Sequence, residues 1–185
     1  MLRLVAGHHR GRKLAAPPGE TTRPTSDRVR QAIFDMVLHA PWAGEAAVEG
    51  QRVLDAFAGS GALGLEALSR GADHVCFLEQ DRVALAVLRQ NVAMLKEEAR
   101  CTVQGGDVLR PRRPNGACGL VLLDPPYGRD LVPKALVALS AAGWIAPEAL
   151  VVAELGREEV LATPGFTEVA VRDHGPARIV FLRAG

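Results

Sequence analysis

Apolar residues recur along this chain in two rhythms, and the change between them falls near residue 51. Before it, residues 2–6 and 12–15 read as two short strands. The turn Gly7-His8-His9-Arg10-Gly11 joins them, with a glycine at each end for backbone freedom. Pro17-Pro18-Gly19 opens a loop that runs to Pro24. A helix should follow, capped by Thr25 or Ser26 with Asp27 in its first turn. Val29, Ile33, Phe34 and Val37 stand at helical spacing, and Pro41 stops the run.

From residue 51 strand, glycine turn and helix alternate. Strands are predicted at 52–56, 74–79, 101–104, 120–123 and 150–154, and helices at 62–70, 81–99 and 131–142. On the second of these helices Ala84, Val87, Leu88, Val92 and Leu95 make one apolar face. Residues 166–173 and 177–183 are close enough to form an antiparallel pair. This alternation predicts an α/β, doubly wound, mostly parallel sheet with the terminal pair reversed. Neither an internal repeat nor a low-complexity tract interrupts it.

The 185 residues fit one domain, a basic N-terminal hairpin (1–20) on a core (21–185), and 48% hydrophobic content supplies its interior. Aromatics are scarce, so Tyr127, the one tyrosine, is read individually, whereas Trp42 and Trp144 read as packing. Cys76, Cys101 and Cys118 show no CxxC spacing and read as reduced thiols, and the histidines His39, His74 and His174 are scattered. No metal is expected. Residues 1–10 lack a signal peptide's apolar segment, and no apolar run approaches the roughly 20 residues of a membrane span, so a soluble cytoplasmic protein is expected.

The net charge of +1 conceals an asymmetry. Arg3, Arg10, Arg12, Lys13, Arg23, Arg28 and Arg30 stand against only Glu20 and Asp27 in the first 30 residues, while the remainder is net acidic. A basic arm on an acidic body suits a nucleic-acid partner; a solvated terminal segment has the same composition. His8 and His9 could join such contacts or be inert, and Arg112 and Arg113 form a second basic patch.

Four motifs at strand ends carry the chemistry. In Asp55-Ala56-Phe57-Ala58-Gly59-Ser60-Gly61-Ala62-Leu63-Gly64 the glycines let a ligand approach the backbone where a strand gives way to a helix. The acid Asp55 and the lack of a basic residue suit a cationic amino-acid moiety better than a pyrophosphate. Glu79, with Gln80 after it, ends the next strand. An acid there opens a helix or accepts ribose hydroxyls, and the glycine loop in register favours the ribose; Asp81 is better placed as the helix cap. Asp107, beside Val108, reads both as an acceptor for an adenine amino group and as a plain turn aspartate.

Asp124-Pro125-Pro126-Tyr127 is the fourth. The prolines fix the backbone, so that the Asp124 carboxylate and the Pro125 carbonyl can accept the two hydrogens of an exocyclic amine. That turns the nitrogen lone pair toward an electrophile, while Tyr127 offers a face to a flipped-out base. No cysteine sits beside the motif, so transfer without a covalent intermediate is expected.

The glycine loop with Asp-Pro-Pro-Tyr resembles the class I S-adenosylmethionine-dependent amino-methyltransferases. Gly11-Arg12-Lys13-Leu14, Arg23-Pro24-Thr25-Ser26-Asp27-Arg28-Val29-Arg30 and Leu65-Glu66-Ala67-Leu68-Ser69-Arg70-Gly71-Ala72 narrow the likeness over nearly the whole chain. Together they resemble the bacterial 16S ribosomal RNA guanine-N2 methyltransferases of the RsmD type. The resemblance implies a Rossmann-like class I fold, a seven-stranded sheet with a reversed terminal strand and a small N-terminal hairpin. It implies methylation of one guanine N2 within an assembled or assembling small ribosomal subunit; a monomer is expected, although the sequence itself does not give the oligomeric state. Arg23 and Thr25 would be a lid on the cofactor. Phe57, Ala58, Gly59, Ser60 and Gly61 would join Asp55, Glu79, Gln80, Asp107 and Val108 as its contacts, and Arg10, Arg12, Lys13, Arg112 and Arg113 would meet RNA.

The chain departs from the family at Gln31, at Asp35 and at His174-Gly175-Pro176-Ala177, positions expected at the periphery. A DNA adenine or cytosine amino-methyltransferase shares Asp-Pro-Pro-Tyr but usually carries a sequence-reading domain, for which this chain has no room. A protein-glutamine methyltransferase would favour asparagine before the prolines. A non-catalytic ribosome-assembly factor would not require Asp55, Glu79 and Asp124 together, and a nicotinamide dehydrogenase leaves residues 124–127 unexplained.

Overall fold

Strands covered on both faces are near-continuous apolar runs, and residues 74–78, 120–123 and 149–153 have that character. In the computed structural model, which describes residues 2–18, 26–159 and 161–185, they lie in one sheet. The elements in chain order are α1 (Asp27–His39), β1 (Arg52–Ala56), α2 (Ala62–Ser69), β2 (His74–Glu79), α3 (Arg82–Leu95) and β3 (Cys101–Gly105). Then come β4 (Cys118–Leu123), α4 (Leu131–Ala142), β5 (Ile145–Gly156), β6 (Phe166–His174) and β7 (Ala177–Ala184).

The seven-stranded sheet has the order β3-β2-β1-β4-β5-β7-β6. The first five strands are parallel, and β7 is antiparallel to both β5 and β6. The reversal therefore belongs to the C-terminal strand alone. β6 runs with the parallel strands, so the last two strands form the expected antiparallel pair with the terminal strand reversed. The strand order turns outward in both directions from β1 and β4, the kind of switch point at which open α/β sheets bind ligands. Helices α1, α2 and α3, with Leu2, Leu4 and Leu14 of the N-terminal arm, pack on one face; α4 and the fully buried Trp144 cover the other. Trp42 lies against Phe181 with ring centroids 5.1 Å apart.

Ser26 caps α1 by accepting the Val29 N–H, and α1 ends just before Pro41. Helix α3 is shorter than predicted. Lys96 takes a left-handed conformation (φ 61°), and beyond it the Glu97 carboxyl meets His9 Nε2 at 2.6 Å and Arg100 at 3.1 Å. Strand β5 begins earlier than predicted. Its first residues are not continuously buried, and the left-handed Glu148 (φ 59°) shifts the register against β4.

The N-terminal hairpin is a short antiparallel pairing about the bridge of Arg3 with Lys13. Its backbone bonds run from the Leu4 N–H to the Arg12 carbonyl (3.0 Å), the Gly11 N–H to Leu4 (2.8 Å) and the Leu14 N–H to Leu2 (2.9 Å), and its other donors go to side chains of the core. Val5 and Ala6 donate their N–H groups to the two oxygens of Glu66 at 2.8 and 3.0 Å. Glu66 is fully buried on α2, where it also receives Arg70 Nε at 2.9 Å and faces Arg30 at 3.9 Å. Gly7 passes so close to α2 that a Cβ there would stand 1.7 Å from the Ser69 carbonyl oxygen. Asn91 of α3 accepts from the Ala15 N–H at 2.8 Å and donates to the carbonyls of Ala15 and Ser60 at 3.0 and 2.9 Å. One side chain thus joins the arm to the glycine loop.

Removing one member of a buried ion pair costs about 3–5 kcal/mol. Glu66→Ala should lower unfolding stability by about that amount in urea titration and expose the arm to protease, whereas Arg3→Ala, which removes only the exposed member of the Arg3–Asp27 pair, should change it by less than about 1 kcal/mol.

Candidate active site

The carboxyl ends of β1, β2, β4 and β5 border a cleft of about 1040 Å³. Asp55, near the tip of β1, is almost wholly buried, and its Oδ2 accepts the Gly64 N–H at 2.8 Å. Burial pushes its carboxyl well above the ordinary carboxylate range. The Gly64 bond opposes that rise, and the charges of Asp124 and Glu79 reinforce it. A cation in the cleft would offset this cost.

The chain leaves β1 through Phe57 (φ 66°), a left-handed residue without the licence of glycine, a conformation costing of order 1–3 kcal/mol. Gly59 then donates its N–H to Glu79 Oε2 at 2.7 Å, and Glu79 Oε1 takes the Asp81 N–H at 2.7 Å. Asp81 caps α3 through the Ala84 N–H at 2.8 Å, the role expected of it. Gly61 is required by packing, since its φ is 82° and a Cβ would fall 2.3 Å from Leu88 Cδ1.

Asp55, Phe57, Ala58, Gly59, Ser60, Glu79, Gln80 and Val108 all wall the cleft, as do Asp124, Pro125, Pro126 and Tyr127. Gly61 and Asp107 do not. Asp107 is exposed, and its Oδ1 closes its own turn on the Leu109 N–H at 2.9 Å. Arg23 and Thr25 lie outside the described residues.

Tyr127, 45% exposed, leans over the end of β5. Its hydroxyl donates to Glu154 Oε1 in a short hydrogen bond, and its Cβ is 3.6 Å from where a Gly156 Cβ would lie. Burial, and then Glu154, push the phenol well above its usual range. Glu159 straps this segment down, accepting the N–H groups of Gly128 at 3.1 Å and Gly156 at 2.6 Å.

Three wall elements are additions to the sequence reading. Pro17 and Pro18 bring the arm to the cleft. Glu154 is an acid two residues before the end of β5, of the kind that marks the ends of three other strands. The third corrects the peripheral placement of the departures at His174, Gly175, Pro176 and Ala177. All four line the cleft, because reversed β7 starts beside Gly156 at the sheet's carboxyl edge. Gln31 and Asp35 bond to each other at 2.6 Å on α1, away from it.

Among the described residues the walls carry five acids, Asp55, Glu79, Asp81, Asp124 and Glu154, one histidine, and no lysine or arginine. Such walls repel a pyrophosphate and fit the sulfonium and ammonium of S-adenosylmethionine. Positive charge lies outside. Arg10 and Lys13 are exposed, and Arg12 reaches the Met94 carbonyl at 2.9 Å. Arg112 and Arg113, also exposed, are not gathered with them. The Arg112 carbonyl accepts the Trp144 indole N–H at 2.8 Å at the starts of β4 and β5, the sheet edge opposite the cleft. Among the described residues no group of three or more His, Cys, Asp or Glu is arranged to hold a metal, and no helix is long and apolar enough to cross a membrane.

A ribosomal RNA small subunit methyltransferase D of Haemophilus influenzae is 37% identical over 167 residues, covering 88% of this chain and 83% of that one. The protein of that name from Escherichia coli strain K12 is 38% identical over 162 residues, covering 88% and 78%. A solved structure from Escherichia coli, yhhF, described as a candidate methyltransferase, superposes with a TM-score of 0.85 at 32% identity over 99% of this chain and 97% of that one. A family model described as "Conserved hypothetical protein 95" matches residues 2–183, and the chain belongs to that family.

Proposed function

We propose that this protein methylates the exocyclic N2 of one guanine in 16S ribosomal RNA of the small subunit, using S-adenosylmethionine. The observation that carries the reading is the acid-walled cleft that ends on Asp124-Pro125-Pro126-Tyr127. The names of the Haemophilus and Escherichia relatives support the RNA of the small subunit as substrate.

S-adenosylmethionine, when bound, supplies an electrophilic methyl group. Asp55 and the turn through Phe57, Ala58, Gly59 and Ser60 would hold its amino-acid end, Glu79 and Gln80 the ribose, and Val108 the adenine. Asp107 would add a contact at the adenine, and Arg23 and Thr25 would be the lid. Asp124 and the Pro125 carbonyl accept the two amine hydrogens and fix the lone pair's direction. Tyr127 supplies the stacking face. The proton leaves only after attack, so Asp124 can orient first and receive it afterwards. Phosphates stay outside the cleft, on Arg10, Arg12 and Lys13, with Arg112 and Arg113 as a separate patch. The protein would work as a monomer in the cytoplasm, where the small subunit is assembled.

Asp124→Ala should cut methyl transfer to small subunits at least about a hundredfold, while calorimetry shows the cofactor still bound. Transfer at the wild-type rate would remove Asp124 from the reaction. Replacing Arg10, Arg12 and Lys13 by alanine should weaken RNA association and flatten its logarithmic salt slope by about 0.7 for each phosphate no longer neutralised. An unchanged slope would place the RNA footprint elsewhere.

A further inference from the structure

Glu154 is 9% exposed, walls the cleft, and has one oxygen, Oε2, buried without a partner among the described residues. A buried acceptor left unpaired is costly, so a site that retains one has a donor to meet. Leu123, the last residue of β4, pairs with Ala153, so Asp124 and Glu154 each follow a member of that pair at the cleft, Glu154 still on β5 and Asp124 just past β4. Neighbouring strands lie about 4.8 Å apart. Two acids therefore stand side by side where an amine would be presented.

From this juxtaposition we infer that Glu154 reads the base: it accepts the ring N1–H of the target guanine while Asp124 holds the neighbouring N2 amine. The inference rests on the guanine-N2 reading above and supplies its specificity. Guanine alone among the four bases carries an exocyclic amine beside a ring N–H. Adenine and cytosine place a lone pair at the corresponding ring nitrogen, which a carboxylate repels. Tyr127 couples stacking to this reading. Its hydroxyl holds Glu154 Oε1, and a phenol that turns to stack on a base releases the carboxyl to the same base.

The test uses the full-length protein and small subunits from a strain lacking it, rebuilt with guanine or 2-aminopurine at the methylated position. 2-Aminopurine keeps the N2 amine but has a lone pair at N1. Wild-type protein should prefer guanine by roughly ten- to a hundredfold in kcat/KM, the range for a hydrogen bond to a charged group. Glu154→Ala should lose most of that preference with cofactor affinity unchanged. Glu154→Gln, which keeps the shape and can turn its amide donor toward N1, should narrow the preference while melting at the wild-type temperature. Either variant keeping the full wild-type preference, or losing cofactor binding in parallel with activity, would overturn the role of Glu154. A wild-type protein that methylates neither substrate would instead remove the guanine-N2 reading, and this inference with it.

Discussion

The bond from the Gly64 N–H to the buried carboxyl of Asp55 fastens the first turn of α2 to the tip of β1, and the shape of the cleft depends on it. With that point fixed, the chain between must turn through left-handed Phe57, Gly59 and Gly61 and bring the Gly59 N–H to Glu79. A Cβ on Gly64 would lie 3.0 Å from Asp55 Cβ and 2.5 Å from Phe77 Cε1, so the glycine lets helix and strand close up. The cost is an acid out of water beside Asp124 and Glu79. The Gly64 backbone dipole opposes that cost, and a cation in the cleft would offset more of it. Structure and cofactor preference thus share a cause: the acid that organises the loop also makes the cleft hospitable to a sulfonium and hostile to a phosphate.

The N-terminal arm obeys a second constraint of the same kind. A two-strand hairpin is marginal in water, and this one is supported by Glu66, Ser69 and Asn91, which bind backbone groups that its own cross-strand bonds leave over. It is held as an extension of the helix layer, its basic side chains outward and its prolines at the cleft. Through Asn91 the arm and the Ser60 carbonyl are set by one amide.

The strands, the four helices and the parallel order were legible because apolar period and glycine punctuation act locally. The glycine loop, Glu79 and residues 124–127 were legible for a related reason: each lies at a strand end, where chain order and sheet order coincide. What escaped depended on contacts distant in sequence. The hairpin's tie to the helix layer runs through Glu66, 60 residues from Ala6, and Glu97, just past the end of α3, meets His9. The turn 174–177 reached the cleft only because β7 inserts in reverse beside β5. Glu154 was open to the rule that found Asp55, Glu79 and Asp124; only β5's pairing with β4 shows that it belongs beside Asp124.

Mass spectrometry of 16S ribosomal RNA from a strain lacking this protein bears most directly on the proposal that the cleft methylates an exocyclic amine. One N2-methylguanine should disappear, returning with the wild-type gene and staying absent with the Asp124→Ala form. An unchanged set of modified nucleotides, or loss of a methyl group from any atom other than a guanine N2, would contradict it.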